Sequence, residues 1–191
     1  MIPKIILASN SPRRRELLTQ IGLTFTVAPA DADESVLPGE APEAYAVRVA
    51  LDKARIAAER AGEGIVISAD TIVVIGDSIL GKPADVRDAE RMLMSLAGKE
   101  HRVVTALAVI DSASSRSLTR ISVTKVWFRD LTVREIAAYV ATGEPMDKAG
   151  AYGIQERGAL LVERIEGCYS NVVGLPLSLL GEMLREFGIY L

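Results

Sequence analysis

The chain has 191 residues, 49% of them apolar, and a formal charge of −3. That length makes one large domain or two small lobes, with ample apolar matter for a core, and the weak net charge excludes a global basic field for bulk nucleic-acid binding, so any anion site must be local. A single cysteine, Cys168, excludes an intramolecular disulfide and fits a reducing cytosol, while a single histidine, His101, argues against a Cys/His zinc centre and a Ser-His-Asp triad.

A bound metal would then take carboxylate and water ligands, which favours magnesium or manganese. The early apolar stretch IILA is too short for a signal peptide, and the late one, VVGLPLSLLG, is broken by Pro176 and too short to span a bilayer. A soluble cytoplasmic protein is expected.

In chain order, Ile5 to Ala8 reads as a short buried strand. Ser11 caps the next helix, with Pro12 at its first position, Leu17, Leu18 and Ile21 as its apolar stripe, and Gly22 at its end. Thr24 to Ala28 is a second strand, followed by the polar loop PADADESVLPGEAP. Pro42 opens the longest helix, to about Ala61, stopped by Gly62. Ile65 to Ile75 is β-branched enough for a buried strand, and Gly76-Asp77 turns into Ser78 to Leu80. Asp85 to Leu96 is a helix stopped by Gly98. Arg102 to Ile110 and Leu118 to Phe128 are strands joined by a polar turn. Thr132-Val133-Arg134-Glu135 is a capping box for a helix to about Ala141. Gly158 to Ile165 reads as a strand, and Pro176 opens a final amphipathic helix. Early alternation of strands and helices with a late β-meander predicts α/β with a mixed central sheet flanked by helices, and a cleft between two lobes.

Several stretches carry chemistry. In LASNSPRRRELL, a strand, a small-residue turn and a helix start offer backbone N–H groups and serine hydroxyls to an anion. Arg13 and Arg14 would add forked, permanently charged donors suited to phosphate. The plainer reading is a capped helix with a solvated arginine face. SADTIVV places Asp70 and Thr71 within an apolar strand, and an aspartate there is costly unless paired, hydrogen-bonded or metal-bound. A site is favoured over a strand-end aspartate satisfied by backbone donors. DADES is either solvated loop charge or the source of one acid that holds a divalent cation with Asp70. GDSILGKP stops short of a P-loop, because Pro83 lacks the hydroxyl that would hold magnesium and the N–H of a helix start. A kinase or P-loop NTPase is thereby rejected, though Lys82 stays well presented between Gly81 and Pro83. AGAYGIQE and GCYSNVVGLP are glycine-punctuated loops able to approach a flat ligand or simply to turn. Tyr152 and Tyr169 either stack on a base or fill the core. His101 is read as structural or exposed, and Cys168 as a small packed residue.

Taken in order, SNSPRRRELL, DADE, LDKAR, SADTIV, GKP, DKAGAYGIQ and GCYSNVVGLP resemble the Maf family over nearly the whole chain. The resemblance implies one domain over residues 1–191 with the fold of the inosine-triphosphate pyrophosphatases. It implies a nucleoside triphosphate pyrophosphatase, which hydrolyses its substrate to the monophosphate and pyrophosphate with a divalent metal cation, Mg2+ or Mn2+. On that resemblance Asp70 matches the catalytic acid, Glu34 the acid that helps hold metal with it, and Ser9, Arg13, Arg14, Lys53 and Lys82 the phosphate side. The subgroup acting on dTTP and UTP is the most similar, through Arg13, Thr71 and Gln155; other subgroups take 7-methyl-GTP or modified pyrimidine nucleotides. Gln155 suits the O4 and N3–H edge of uracil or thymine, although a flipped amide would suit cytosine. Asp70 would either deprotonate water or bind the cation that acidifies it. A nucleotide-binding regulator of septum formation is the alternative to an enzyme. The expected partners are the nucleotide and a second copy in a homodimer, with no stable nucleic acid and no membrane.

Overall fold

The computed structural model describes residues 3–191. Pro12 and Pro42 both stand at the first position of a helix, where the fixed φ of proline is pre-organised and its missing N–H is no loss. They open α1 (Pro12–Gln20) and α2 (Pro42–Ala61). Asp85 caps α3 (Val86–Leu96) by accepting from Asp88 N–H at 2.8 Å. The expected capping box of Thr132 and Glu135 opens α4 (Val133–Val140). α5 (Tyr169–Val173) and α6 (Leu177–Glu186) complete the helices.

The strands are β1 (Ile5–Leu7), β2 (Thr26–Val27), β3 (Ile65–Ile75), β4 (Ser78–Leu80), β5 (Glu100–Asp111), β6 (Ser117–Phe128) and β7 (Val162–Glu166). They form one sheet in the order β2-β1-β3-β5-β6-β7, with β4 paired to β3. β1 runs parallel to both β2 and β3, whereas the β3–β4 and β6–β7 pairs are antiparallel, so the sheet is mixed as expected. No helix among the described residues is long and apolar enough to cross a membrane.

The strand expected from Gly158 starts later. Glu156–Leu160 is a 3-10 turn, and β7 begins at Val162. The Glu144 carboxylate accepts from Arg157 N–H (3.2 Å) and Gly158 N–H (3.0 Å), so it satisfies the open start of that turn from another segment. A Cβ at Gly158 would stand 1.9 Å from the Gly153 carbonyl oxygen, a closeness only glycine permits. A distant cap of this kind leaves no local periodicity. α5 likewise falls inside a stretch read as a loop. Asn171 on it is fully buried and donates to Val103 O (3.0 Å) and Thr124 Oγ1 (2.9 Å).

The chain divides into two compact units. The first runs to Asp70 and takes in Thr105–Ser122 and Gly174–Leu191. Within it, Ala46, Val49, Ala50, Ala54 and Ala57 are completely buried along one face of α2. Small side chains at those spacings let a helix backbone lie close to what it covers. The second unit holds Thr71–Val104 and Val123–Val173. Leu93, Leu96, Phe128, Ile136 and Tyr139 belong to its buried core. His101 belongs there too, its Nε2 2.7 Å from Tyr152 Oη and its ring edge-on to those of Phe128 and Tyr152. Burial lowers its pKa to about 4. His101 is therefore structural and Tyr152 fills the core, while Tyr169 is exposed.

Candidate active site

The first unit assembles a cluster of opposite charges from four segments distant in sequence. Ala8 N–H donates to Ile67 O at 2.8 Å, which prolongs the parallel pairing of β1 with β3 one residue beyond Leu7. The chain then turns through Ser9, which is buried, into the N-terminus of α1. Ser9 Oγ accepts from Ser11 N–H (3.1 Å) and from Arg14 Nη1 (3.2 Å). Arg14 Nε donates to the carbonyl of Gly174 at 2.9 Å, so its guanidinium is held from both sides. Desolvation lowers the Arg14 pKa, the Asp70 carboxylate raises it again, Arg13 lowers it, and Glu34 raises it. Ser9, Arg13, Arg14, Glu34 and Asp70 thus share one electrostatic neighbourhood.

Ser68 and Asp70 sit two apart on β3 and so point to the same face. That face meets α2: Ser68 Oγ donates to the carbonyl of Ala50, and one helical turn later Lys53 reaches Asp70. Lys53 Nζ lies 2.8 Å from Asp70 Oδ1 and 2.6 Å from Glu34 Oε1. The Lys53 and Asp70 side chains are 12% and 11% exposed, and Glu34 is 54% exposed. The charge that made Asp70 conspicuous within an apolar strand is therefore paired. Of the acids in DADES, Glu34 is the one drawn in, whereas Asp33 accepts from Ser35 N–H at 2.9 Å within its own loop.

Thr71, Lys82 and Gln155 belong to the second unit. Thr71 and Gln155 are half-buried and Lys82 is exposed. Gly150 N–H donates to Gly81 O at 3.0 Å, which ties the segment carrying Lys82 to the AGAYGIQE loop. A side chain at Gly150 would collide with Val73, and its φ of +68° suits glycine. The glycines that punctuate these loops therefore serve packing at this point.

Three contributors carried no sequence signal. Gly174 acts through its carbonyl. Tyr45 and Arg48 lie one turn apart on α2, and the Tyr45 hydroxyl donates to the backbone carbonyl of Glu34 at 2.8 Å. Burial, then Asp70 and Glu34, pushes the Tyr45 pKa up to about 12, so this hydroxyl stays a donor at neutral pH.

Among the described residues no group of three or more His, Cys, Asp or Glu side chains is arranged to hold a metal ion. Glu34 and Asp70 nonetheless turn one oxygen each on a single cation, the Lys53 ammonium. Two carboxylates are a fitting protein share for a magnesium-like ion, which completes its shell with water and phosphate oxygens. Lys53 engages the Asp70 carboxylate through Oδ1, and a carboxylate has further lone pairs with which to accept a water proton or a cation.

The fold is similar to that of the Ham1 protein of Staphylococcus aureus, with a TM-score of 0.55 at 16% identity, covering 96% of this chain and 98% of that one. A protein of Acetivibrio thermocellus named dTTP/UTP pyrophosphatase is 52% identical over 97% of this chain and 96% of its own length. One of the same name from Geobacter metallireducens is 53% identical, again over 97% of this chain and 96% of its own length. The family model described as Maf-like protein matches residues 4–187, and the chain belongs to that family.

Proposed function

We propose that this protein is a nucleoside triphosphate pyrophosphatase that hydrolyses dTTP and UTP to the monophosphate and pyrophosphate. The observation that carries the proposal is the Lys53 ammonium shared between Asp70 and Glu34, with Arg14 and Arg13 in the same field. A polyphosphate needs that arrangement: fixed cations for its oxygens, and a carboxylate able to accept a proton from water. The names of the relatives, at about half identity over nearly the full length, support the choice of dTTP and UTP.

In the reaction a water oxygen bonds to the α-phosphorus, the bond from that phosphorus to the α,β-bridging oxygen breaks, and pyrophosphate leaves. The Asp70 carboxylate takes the water proton. Arg13, Arg14 and Lys53 stabilise the charge that grows on the leaving group, with little reorganisation because Arg14 and Lys53 are already held by protein acceptors. Glu34 and Asp70 are the residues that would hold Mg2+ or Mn2+, which when bound neutralises phosphate charge and polarises a phosphoryl oxygen. Lys82 as a further phosphate contact, and Thr71 and Gln155 as base-selecting contacts, rest on the family resemblance. The Gln155 amide offers both a donor and an acceptor to a pyrimidine edge. A cytoplasmic location suits a chain with one cysteine and a substrate from the nucleotide pool.

The test is a panel of dTTP, UTP, CTP, GTP, dATP and 7-methyl-GTP, with products separated as monophosphate plus pyrophosphate or diphosphate plus phosphate. Preference for dTTP and UTP with pyrophosphate released is the expected outcome. Equal rates on GTP and dTTP reject the pyrimidine selectivity, and binding without turnover rejects the enzyme.

A further inference from the structure

The loop that supplies Glu34 has no regular secondary structure, yet three consecutive carbonyls in it are gripped by two side chains of α2. Arg48 Nη1 donates to Asp33 O (3.2 Å), Tyr45 Oη to Glu34 O (2.8 Å) and Arg48 Nη2 to Ser35 O (2.8 Å). The Arg48 guanidinium is itself oriented by Glu40 from the far end of the same loop, with Nε at 2.7 Å from Oε1 and Nη2 at 2.9 Å from Oε2. Glu40 Oε2 also accepts from Leu37 N–H at 3.1 Å. One planar fork thus closes the segment from Asp33 to Glu40 onto the helix that carries Lys53.

We infer that Arg48, oriented by Glu40 and assisted by Tyr45, is a positioning residue that holds Glu34 against Lys53 and Asp70. The inference rests on the proposed pyrophosphatase reading, because it needs Glu34 to serve the reaction. Arg48 meets backbone carbonyls, the Glu40 carboxylate and the ring of Tyr45, with its guanidinium carbon 5.4 Å from the ring centroid, so its effect on the reaction passes through the loop. Glu34 is the most exposed member of the charged triad and stands in a loop without regular secondary structure. Without the fork, its carboxylate would sample positions away from the ammonium, and an ångström of misplacement can cost on the order of 10²-fold in rate. Lysine at this position cannot reproduce the grip, since a single ammonium lacks the planar fork that meets the Glu40 carboxylate in two places while also reaching two carbonyls.

The experiment compares Arg48→Ala, Arg48→Lys, Glu40→Gln, Glu34→Gln and the Arg48→Ala/Glu34→Gln pair for pyrophosphate release, melting temperature and amide hydrogen exchange of residues 33–37. Arg48→Ala should lower kcat by about 10-fold or more, and Arg48→Lys should not rescue it. Glu40→Gln, which keeps an oxygen acceptor, should fall between wild type and Arg48→Ala. Arg48→Ala should cause little further loss once Glu34 is already glutamine, because its effect acts through that carboxylate. Exchange should accelerate in the loop and stay unchanged in β3 and α3. Wild-type kcat in Arg48→Ala, losses that simply multiply in the pair, or unchanged exchange at 33–37 would each overturn the assignment. Should wild type itself release no pyrophosphate from any nucleotide, the pyrophosphatase reading fails, and the catalytic role of the clamp fails with it. The exchange comparison in that case still decides whether Arg48 orders the loop.

Discussion

Replacing Lys53 by Met tests the central charge cluster most directly. Methionine keeps much of the stem volume and removes the ammonium, so that Asp70, whose side chain is only 11% exposed, loses the cation 2.8 Å from its Oδ1. Breaking a buried pair on one side costs about 3–5 kcal/mol. The Glu34 arm adds at most about 1 kcal/mol, because that carboxylate is 54% exposed and water can take over its solvation. Arg14, whose charge also faces Asp70, offsets part of the loss. A net destabilisation of about 2–4 kcal/mol follows, which in a chain of this size lowers the melting temperature by about 5–15 °C. The decisive comparison is a double-mutant cycle by thermal or urea unfolding. Asp70→Asn alone should be mild, since Lys53 keeps Glu34 and an amide oxygen. Lys53→Met/Asp70→Asn should be more stable than Lys53→Met, because no stranded charge remains. If the double variant is no more stable than Lys53→Met, the destabilisation does not come from an unpaired Asp70 and the reasoning fails.

Three further outcomes are expected. Asp70→Asn should reduce pyrophosphate release by about 10²–10⁴-fold while the fold persists, and near-normal turnover would remove Asp70 from the chemistry. His101 has a folded pKa of about 4 against 6.5 for an unburied histidine, so the unfolded chain takes up the proton first. The stability this group contributes is fully present above about pH 6.5 and is lost as pH falls toward 4, by about 3 kcal/mol. His101→Gln should flatten the stability profile in that window, and an unchanged slope in the variant would refute the assignment. Gly150→Ala would put a Cβ within 2.8–2.9 Å of three Val73 side-chain atoms at a φ of +68°. A loss of about 2–4 kcal/mol is expected from crowding and the left-handed backbone together, read as a lower urea midpoint with unchanged m. An unchanged midpoint would mean that Val73 yields freely.

The sequence by itself determined the elements whose signals are local. Pro12 and Pro42 mark helix starts, Thr132 and Glu135 a reciprocal cap, and Ile65 to Ile75 a buried strand, because each depends on neighbours within a turn or a pleat. It also marked Asp70, since a carboxylate amid β-branched residues demands a partner whatever the fold. Tertiary structure alone decided which partner that is. Lys53 lies 17 positions away on α2, and it comes to Asp70 because α2 covers the face of β3 that carries Ser68 and Asp70. The family resemblance singled out Glu34 among the acids of its loop, but no local pattern did, because Tyr45 and Arg48 grip backbone carbonyls, which every residue possesses. The 3-10 turn at Glu156–Leu160 follows the same logic through Glu144. Bonds from a side chain to a distant main chain impose no residue type on the segment that accepts them, so they leave no pattern to read until the chain has folded.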